Sequence, residues 1–246
     1  MKKRFLILLV VFILLCIFYL VDITFNNPGE NAPMNIGSFR VVESSSIDPG
    51  TVLLSLGDND QRLFSFSPGF PDNPPAIASV NWQQADFLKL ATSIFRAAWN
   101  EPIDSWVLYR MAFWTDCKDS PHEYSGGELY FYLETSSDNA RQYSVREILM
   151  EPEYGYIAWG GDTFYPRALF NKWKSIDLGE IQVNAENALK KAESSGGAES
   201  RMSANNNCHI ITDMYPNRDN RLVWLVTYSA GYKVIQGPSN FWIPAK

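Results

Sequence analysis

Few residues in this 246-residue chain have the types and spacings that chemistry requires. His122-Glu123 begins like a zinc-protease signature, but no second histidine follows four positions after the first, and Gly126-Gly127 would break the helix such a site needs. The stretch "GDNDQ" (57 to 61) could offer Asp58, Asn59 and Asp60 to calcium, yet it lacks the further ligands and distal glutamate of a calcium loop, so a hairpin turn is expected. Glu151 and Glu153 flank Pro152 and could divide acid and base roles. On a solvated turn their pKa values would not separate, which makes them surface charges. None of the three Gly-Gly pairs sits in a phosphate-binding loop, and Ser229 in "TYSAGY" lacks the leading glycine of a nucleophile elbow. With two histidines in the whole chain, no catalytic, cofactor-binding or metal-ligating residue is assigned and no cofactor is expected.

Of the three cysteines, Cys16 lies in an apolar run, leaving Cys117 and Cys208. They could pair in an oxidising compartment, but a separation in sequence does not establish that their Cα atoms approach within bonding range.

The N-terminus carries the clearest signal of location. Lys2, Lys3 and Arg4 precede "FLILLVVFILLCIFYLV" (Phe5 to Val21), which holds no charge and no helix breaker. As a helix it spans roughly 25 Å, and apolar residues to Phe25 extend it toward bilayer thickness. No small-residue cleavage pattern follows, so residues 1–25 read as an uncleaved signal-anchor. The basic flank is expected in the cytoplasm and the bulk of the chain outside, giving a single-pass cell-membrane protein. Setting Lys2, Lys3 and Arg4 aside leaves 18 basic residues against 27 acidic, a balance of −9 that argues against nucleic acid and anionic lipid as partners. Aromatic residues make up 14% of the chain, and the eight tryptophans are spread along it, as expected for residues filling the cores of twisted sheets.

Punctuation by proline and glycine divides the remainder. Residues 26–79 form a polar tether, "NNPGENAPMNIG", and a small β segment with "FRVV", "TVLLSL" and "RLFSF" as strands, closed by the breaker "SPGFPDNPPA". Residues 80–178 hold a helix in "NWQQADFLKLATSIFRAAW", capped by Asn81 and stopped at Asn100-Glu101-Pro102, with Ala85, Leu88, Leu90, Ala91, Ile94, Phe95 and Ala98 toward its buried face. Strand-like runs follow at 105 to 114, 127 to 135 and 143 to 159, the last with a turn near Pro152 to Gly155. The connector 160 to 180 contains an apolar turn with Leu169, Phe170 and Trp173.

Residues 179–246 repeat this order. A shift of 101 lays Val80-x-Trp82 on Ile181-x-Val183 and Phe87-Leu88-Lys89-Leu90-Ala91 on Ala188-Leu189-Lys190-Lys191-Ala192. Gly196-Gly197 is expected to end the second helix, and strand-like runs lie at 208 to 215, 221 to 229 and 232 to 245. The fold class is therefore α+β: a membrane helix, a small β segment, then two helix-plus-antiparallel-meander modules with the pattern of an internal duplication.

The stretch Asn187-Ala188-Leu189-Lys190-Lys191-Ala192, Gly196-Gly197 and Trp224-Leu225-Val226-Thr227-Tyr228 resembles the PepSY-like, cystatin-like α+β modules of exported bacterial proteins. The likeness covers 179 to 246 well and 80 to 159 loosely. Where such modules carry an aspartate and glycine turn between their last strands, this chain has Gly237-Pro238-Ser239-Asn240. The resemblance implies a non-catalytic binding or peptidase-regulating module and transfers no active-site residue. From the residues themselves, "LYFYL" (129 to 133) is apolar on both alternations, so it must be covered by the other module or a partner subunit, or by a peptide added at a sheet edge. An extracytoplasmic hydrolase with a site no motif reveals is the alternative.

Overall fold

The computed structural model describes residues 34–38, 60–62, 82–117, 123–137, 140–154, 156–164, 175–216, 221–231 and 235–246. The predicted anchor, most of the tether and small β segment, His122, and Leu169, Phe170 and Trp173 of the connector lie outside them. Among the described residues no helix is long and apolar enough to cross a membrane.

The fold is mixed α+β, with helices on one face of an open antiparallel sheet. Its elements in chain order are strands β1 (Met34–Ser38) and β2 (Asp60–Arg62), helix α1 (Gln84–Ile94), strands β3 (Val107–Asp116), β4 (Gly126–Ser137), β5 (Ala140–Glu151) and β6 (Tyr156–Phe164), helices α2 (Ala185–Ala192) and α3 (Ala198–Ser203), and strands β7 (His209–Pro216), β8 (Leu222–Ser229) and β9 (Asn240–Pro244). The sheet order is β2-β1-β6-β5-β4-β3-β7-β8-β9, and every paired neighbour is antiparallel. Two meanders, β3 to β6 and β7 to β9, therefore meet through their first strands. At that seam Ala112 pairs with Asp213.

Strand alternation sends Met111 and Phe113 of β3, Leu129 and Phe131 of β4, Ile148 and Met150 of β5, and Trp224, Val226 and Tyr228 of β8 beneath the helices, all 3% exposed or less. Helix α1 answers with Phe87, Leu90, Ala91 and Ile94, spaced three and four apart on one stripe. The face is rotated from the sequence expectation: Ala85 and Ala98 are exposed and Leu88 is half-buried, because Phe87 turns inward against Trp82 and Phe113, each at 5.1 Å between ring centroids. From Phe113 the aromatic contact continues across the seam to Trp224 at 6.3 Å. Trp82, Trp106, Trp159 and Trp224 are core residues, whereas Trp242 is 56% exposed.

The N-termini of α1 and α2 meet over the seam. Glu186, buried in the first turn of α2, accepts a hydrogen bond from the backbone N–H of Gln84. The Gln84 side-chain oxygen in turn accepts from the backbone N–H of Ala185 at 2.9 Å. Each helix thus satisfies one orphan donor of the other, and the carboxylate faces two positive dipole ends. Tyr124 Oη donates to the Ala185 carbonyl at 2.8 Å, and Trp224 Nε1 to that of Val183 at 2.7 Å, which fixes the second helix to both halves of the sheet.

The seam is also closed covalently. Cys117 and Cys208, the residues flanking β3 and β7, form a disulfide with a Cα separation of 5.0 Å, and the Cys117 N–H donates to the Cys208 carbonyl at 2.7 Å. This resolves the pairing that the sequence left open.

Several boundaries differ from the sequence expectation. Met34–Ser38, read as part of the tether, is a strand paired with β6, and Asp60, read as part of a turn, begins β2 opposite Ile36. Helix α1 starts after Gln83 rather than Asn81, because Trp82 is held in a β-bridge to Tyr124. Beyond Ile94 the chain continues as a π-helical turn, Phe95–Trp99, and the expected stop at Asn100 holds: the residue adopts φ 54 and its N–H donates to the Phe95 carbonyl. Gly196 ends the second helix as expected, and a further short helix follows it. The Gly196 φ of 114 swings the chain so that Gly197 packs on the Tyr228 ring, and helical structure resumes as α3. Of the described residues 235 to 245, Asn240–Pro244 forms a strand and bends occupy Gln236 and Gly237; residues 232 to 234 lie outside the described residues.

Gln84→Ala and Glu186→Ala should each lower the unfolding free energy by about 1–2 kcal/mol in chemical denaturation. The double variant should lose less than the sum, since both bonds depend on the same approach of the helix ends. Strict additivity would show that the caps act independently. Cys117→Ser should cost about 2–4 kcal/mol under oxidising conditions and nothing further once dithiothreitol is present.

Candidate functional site

The face of the sheet turned away from the helices carries the chemistry. Position 110 is displaced onto it by an irregularity of register between Leu108 and Arg110, after which Ala112 and Trp114 continue the alternation. Glu128 and Tyr130 of β4, Glu147 and Leu149 of β5, Ile211 and Asp213 of β7, Leu225 of β8 and Trp242 of β9 share this face.

Five of these groups form a polar ribbon across four strands. The Arg110 guanidinium meets Asp213 through Nε at 3.4 Å and Nη2 at 3.2 Å, and Glu128 through Nη2 at 3.1 Å. Tyr130 Oη donates to Glu147 at 2.9 Å and lies 3.3 Å from Glu128. The Tyr109 ring packs on Tyr130 and Tyr132, and the guanidinium sits 5.4 Å from the Tyr130 centroid. Among the described residues, one guanidinium thus serves a row containing three carboxylates.

The imbalance shows in the ionisation of each group. Burial raises the carboxyl pKa values of Asp213, Glu128 and Glu147; Arg110 offsets part of that rise at Asp213 and Glu128, and at Glu147 the hydrogen bond from Tyr130 offsets more of it than Arg110 does. Burial acts against the Arg110 charge too, but Asp213 and Glu128 together outweigh it and its pKa is raised. The cation gains from two partners, whereas each anion shares one.

A second feature lies one row away. Gly126 stands between Trp114 and Glu151, and a Cβ there would overlap the Trp114 indole. Its absence lets Nε1 of Trp114 reach the Glu151 carboxylate at 3.1 Å. Burial, together with nearby Glu153, pushes Glu151 up to about 8 despite that hydrogen bond. Expected to be a surface charge on a turn, Glu151 is instead a desolvated carboxyl at the end of β5. The sequence hid this because the covering ring comes from position 114, across an intervening glycine.

Exposure divides the face. Ala112, Leu149 and Ala158 are buried within the single chain, at 2%, 4% and 5%. Across β7 to β9, by contrast, Ile211 (39%) and Trp242 (56%) reach solvent with Leu225 half-buried between them. The "LYFYL" strand lies in the middle of the sheet with β3 and β5 on its sides, so no peptide can add at its edge; Leu129 is buried and Phe131 packs on Phe95 on the helix side, Tyr130 belongs to the ribbon, and Tyr132 packs on Tyr109. The edge strands of the sheet are β2 and β9.

The remaining residues weighed from the sequence do not converge. Glu123 is half-buried next to the Tyr124 bridge, Ser229 ends β8 on the surface, and His209 lies 2.9 Å from Asp116 at the exposed start of β7. Asp58 and Asn59 lie outside the described residues. Among the described residues no group of three His, Cys, Asp or Glu side chains is placed to hold a metal ion.

The chain matches no family model, no curated protein and no solved structure.

A carboxyl whose pKa is higher folded than unfolded binds its proton more tightly in the native state, so stability falls as pH rises. For Glu151 the loss runs from about 4.3, the unfolded value, to about 8 and then levels off. Asp213, Glu128 and Glu147 add slopes of the same sign. Glu151→Gln should therefore raise Tm at pH 8 while leaving it unchanged near pH 4, with about 2–4 °C gained per kcal/mol relieved. A Glu151→Gln variant less stable than the parent at pH 8 would overturn the assignment.

Proposed function

We propose that this chain is a membrane-anchored, extracytoplasmic binding or regulatory protein without catalytic activity, which contacts a protein or peptide through the face of its sheet opposite α1 and α2. The observation that carries this reading is the apolar surface at β7 to β9, where Trp242 and Ile211 are exposed beside a polar ribbon. A tryptophan and an isoleucine exposed on one face of a sheet suit recognition of another polypeptide better than enclosure of a small substrate. The Cys117–Cys208 disulfide accords with an oxidising compartment, and the apolar run Phe5 to Val21 supplies the anchor. The net acidity of the chain disfavours nucleic acid.

The two halves are read as copies of one helix-plus-meander module, related to PepSY-like and cystatin-like modules. Several positions support a single offset of 101 residues: Gln84 and Ala185 each open a helix, their N-caps are Gln83 and Asn184, and Ala112 pairs at the seam with its own counterpart Asp213. Such self-pairing is what a two-fold interface between identical modules produces. Leu88 and Leu189 also pack against the same core, the first half-buried and the second fully buried. In the alternative reading, an extracytoplasmic hydrolase, the carboxyl of Glu151 would be the general acid.

Affinity capture of the intact anchored protein with mass spectrometry tests the choice. A partner retained by the parent protein and lost from Trp242→Ala is the expected result; hydrolysis of a substrate panel, abolished in Glu151→Gln, would establish the enzyme instead.

A further inference from the structure

We propose that the occupant of the β7 to β9 surface is an extended polypeptide segment carrying basic side chains next to apolar ones; the inference rests on the binding role given above and names the chemistry of the partner. Trp242, Leu225, Asp213, Ala112 and Glu128 occupy one cross-strand row, paired in succession from β9 to β4. Neighbouring strands lie about 4.8 Å apart, so Trp242 stands about 10 Å from Asp213 along that row. Alternate residues of an extended segment share a face about 7 Å apart, so one segment lying across the strands reaches both with side chains two residues apart, the length of the basic side chain closing the remaining gap. Its apolar residue covers Trp242, Leu225 and Ile211. Its basic residue meets the end of the ribbon at Asp213.

Charge selects the sign of that second residue. Asp213, Glu128 and Glu147 share Arg110 as the cation bonded within the ribbon, and burial works against each carboxylate. A further cation relieves the excess, whereas an acidic segment adds to it. The carboxylates are strung along the ribbon instead of converging on a point, and no metal-holding group of three is found among the described residues. A polypeptide with spaced charges fits that line better than a single ion.

The test uses the full-length protein in detergent micelles, titrated by calorimetry with three synthetic peptides repeating valine-serine-X-serine, where X is lysine, serine or glutamate, so that valine and X share one face. The lysine peptide should bind, more weakly at 500 mM than at 50 mM salt. Trp242→Ala should weaken it about tenfold. Glu147→Gln, which keeps an acceptor for Tyr130, and Asp213→Asn should each weaken it several-fold, while Glu199→Gln on α3 should leave it unchanged. Equal binding of the serine and lysine peptides, or preference for the glutamate peptide, would overturn the cationic partner. If Trp242→Ala abolished that binding too, the binding face itself would stand. Binding of no peptide, or self-association lost on Trp242→Ala, would overturn the inference, the latter by making a second copy the occupant.

Discussion

Two helix N-termini that face each other bring together positive dipole ends and unpaired amide donors, and this fold meets them with side-chain acceptors. The starts of α1 and α2 converge above the β3–β7 seam, bringing two positive dipole ends and several unpaired amide donors into a buried space. Glu186 supplies the charge and one acceptor, and Gln84 supplies the other. Once the helix ends are fixed, the aromatic path from Phe87 through Phe113 to Trp224 can close beneath them. The sheet then becomes one continuous surface, which is why its other face can carry a ribbon of charges in register across four strands.

That ribbon shows how a sheet handles charge differently from a helix. On a helix surface, residues three and four apart meet along one element. Here Asp213, Arg110, Glu128, Tyr130 and Glu147 come from β7, β3, β4 and β5 and meet only through pairing. The same principle brings Trp114 to Glu151 over Gly126. On the helix side, Arg146 is held 5.1 and 4.7 Å from the rings of Trp99 and Trp106 and 3.3 Å from Glu101, with Gly161 making room opposite. In each case glycine or an aromatic ring sets the geometry and the charge follows.

Much of the secondary structure was legible because periodicity is a local property. The runs at 105 to 114, 127 to 135 and 221 to 229 fall on β3, β4 and β8, and the turn near Pro152 separates β5 from β6. Local propensity failed where distant pairing decided the conformation: Met34–Ser38 is a strand because β6 lies beside it, and Trp82 is extended because Tyr124 pairs with it. Gly196 was legible as a break, but the resumption of helix at Ala198 depends on the Tyr228 ring behind Gly197. The ribbon and Glu151 were illegible for the same reason. Apart from Glu128 and Tyr130, two apart on β4, the hydrogen-bonded partners lie 17 to 103 residues apart in sequence, and no spacing along one element announces them.

The seam also sets an order of events during synthesis. Strand β3 is made about a hundred residues before β7, and its Cys117 waits for Cys208 across a separation of 91. In that interval the first meander has a bare strand edge and half an aromatic core, the kind of surface that attracts the wrong neighbour. Assembly of the native seam is therefore a late, long-range step, and a nascent chain stalled before residue 208 is the species most in need of a chaperone.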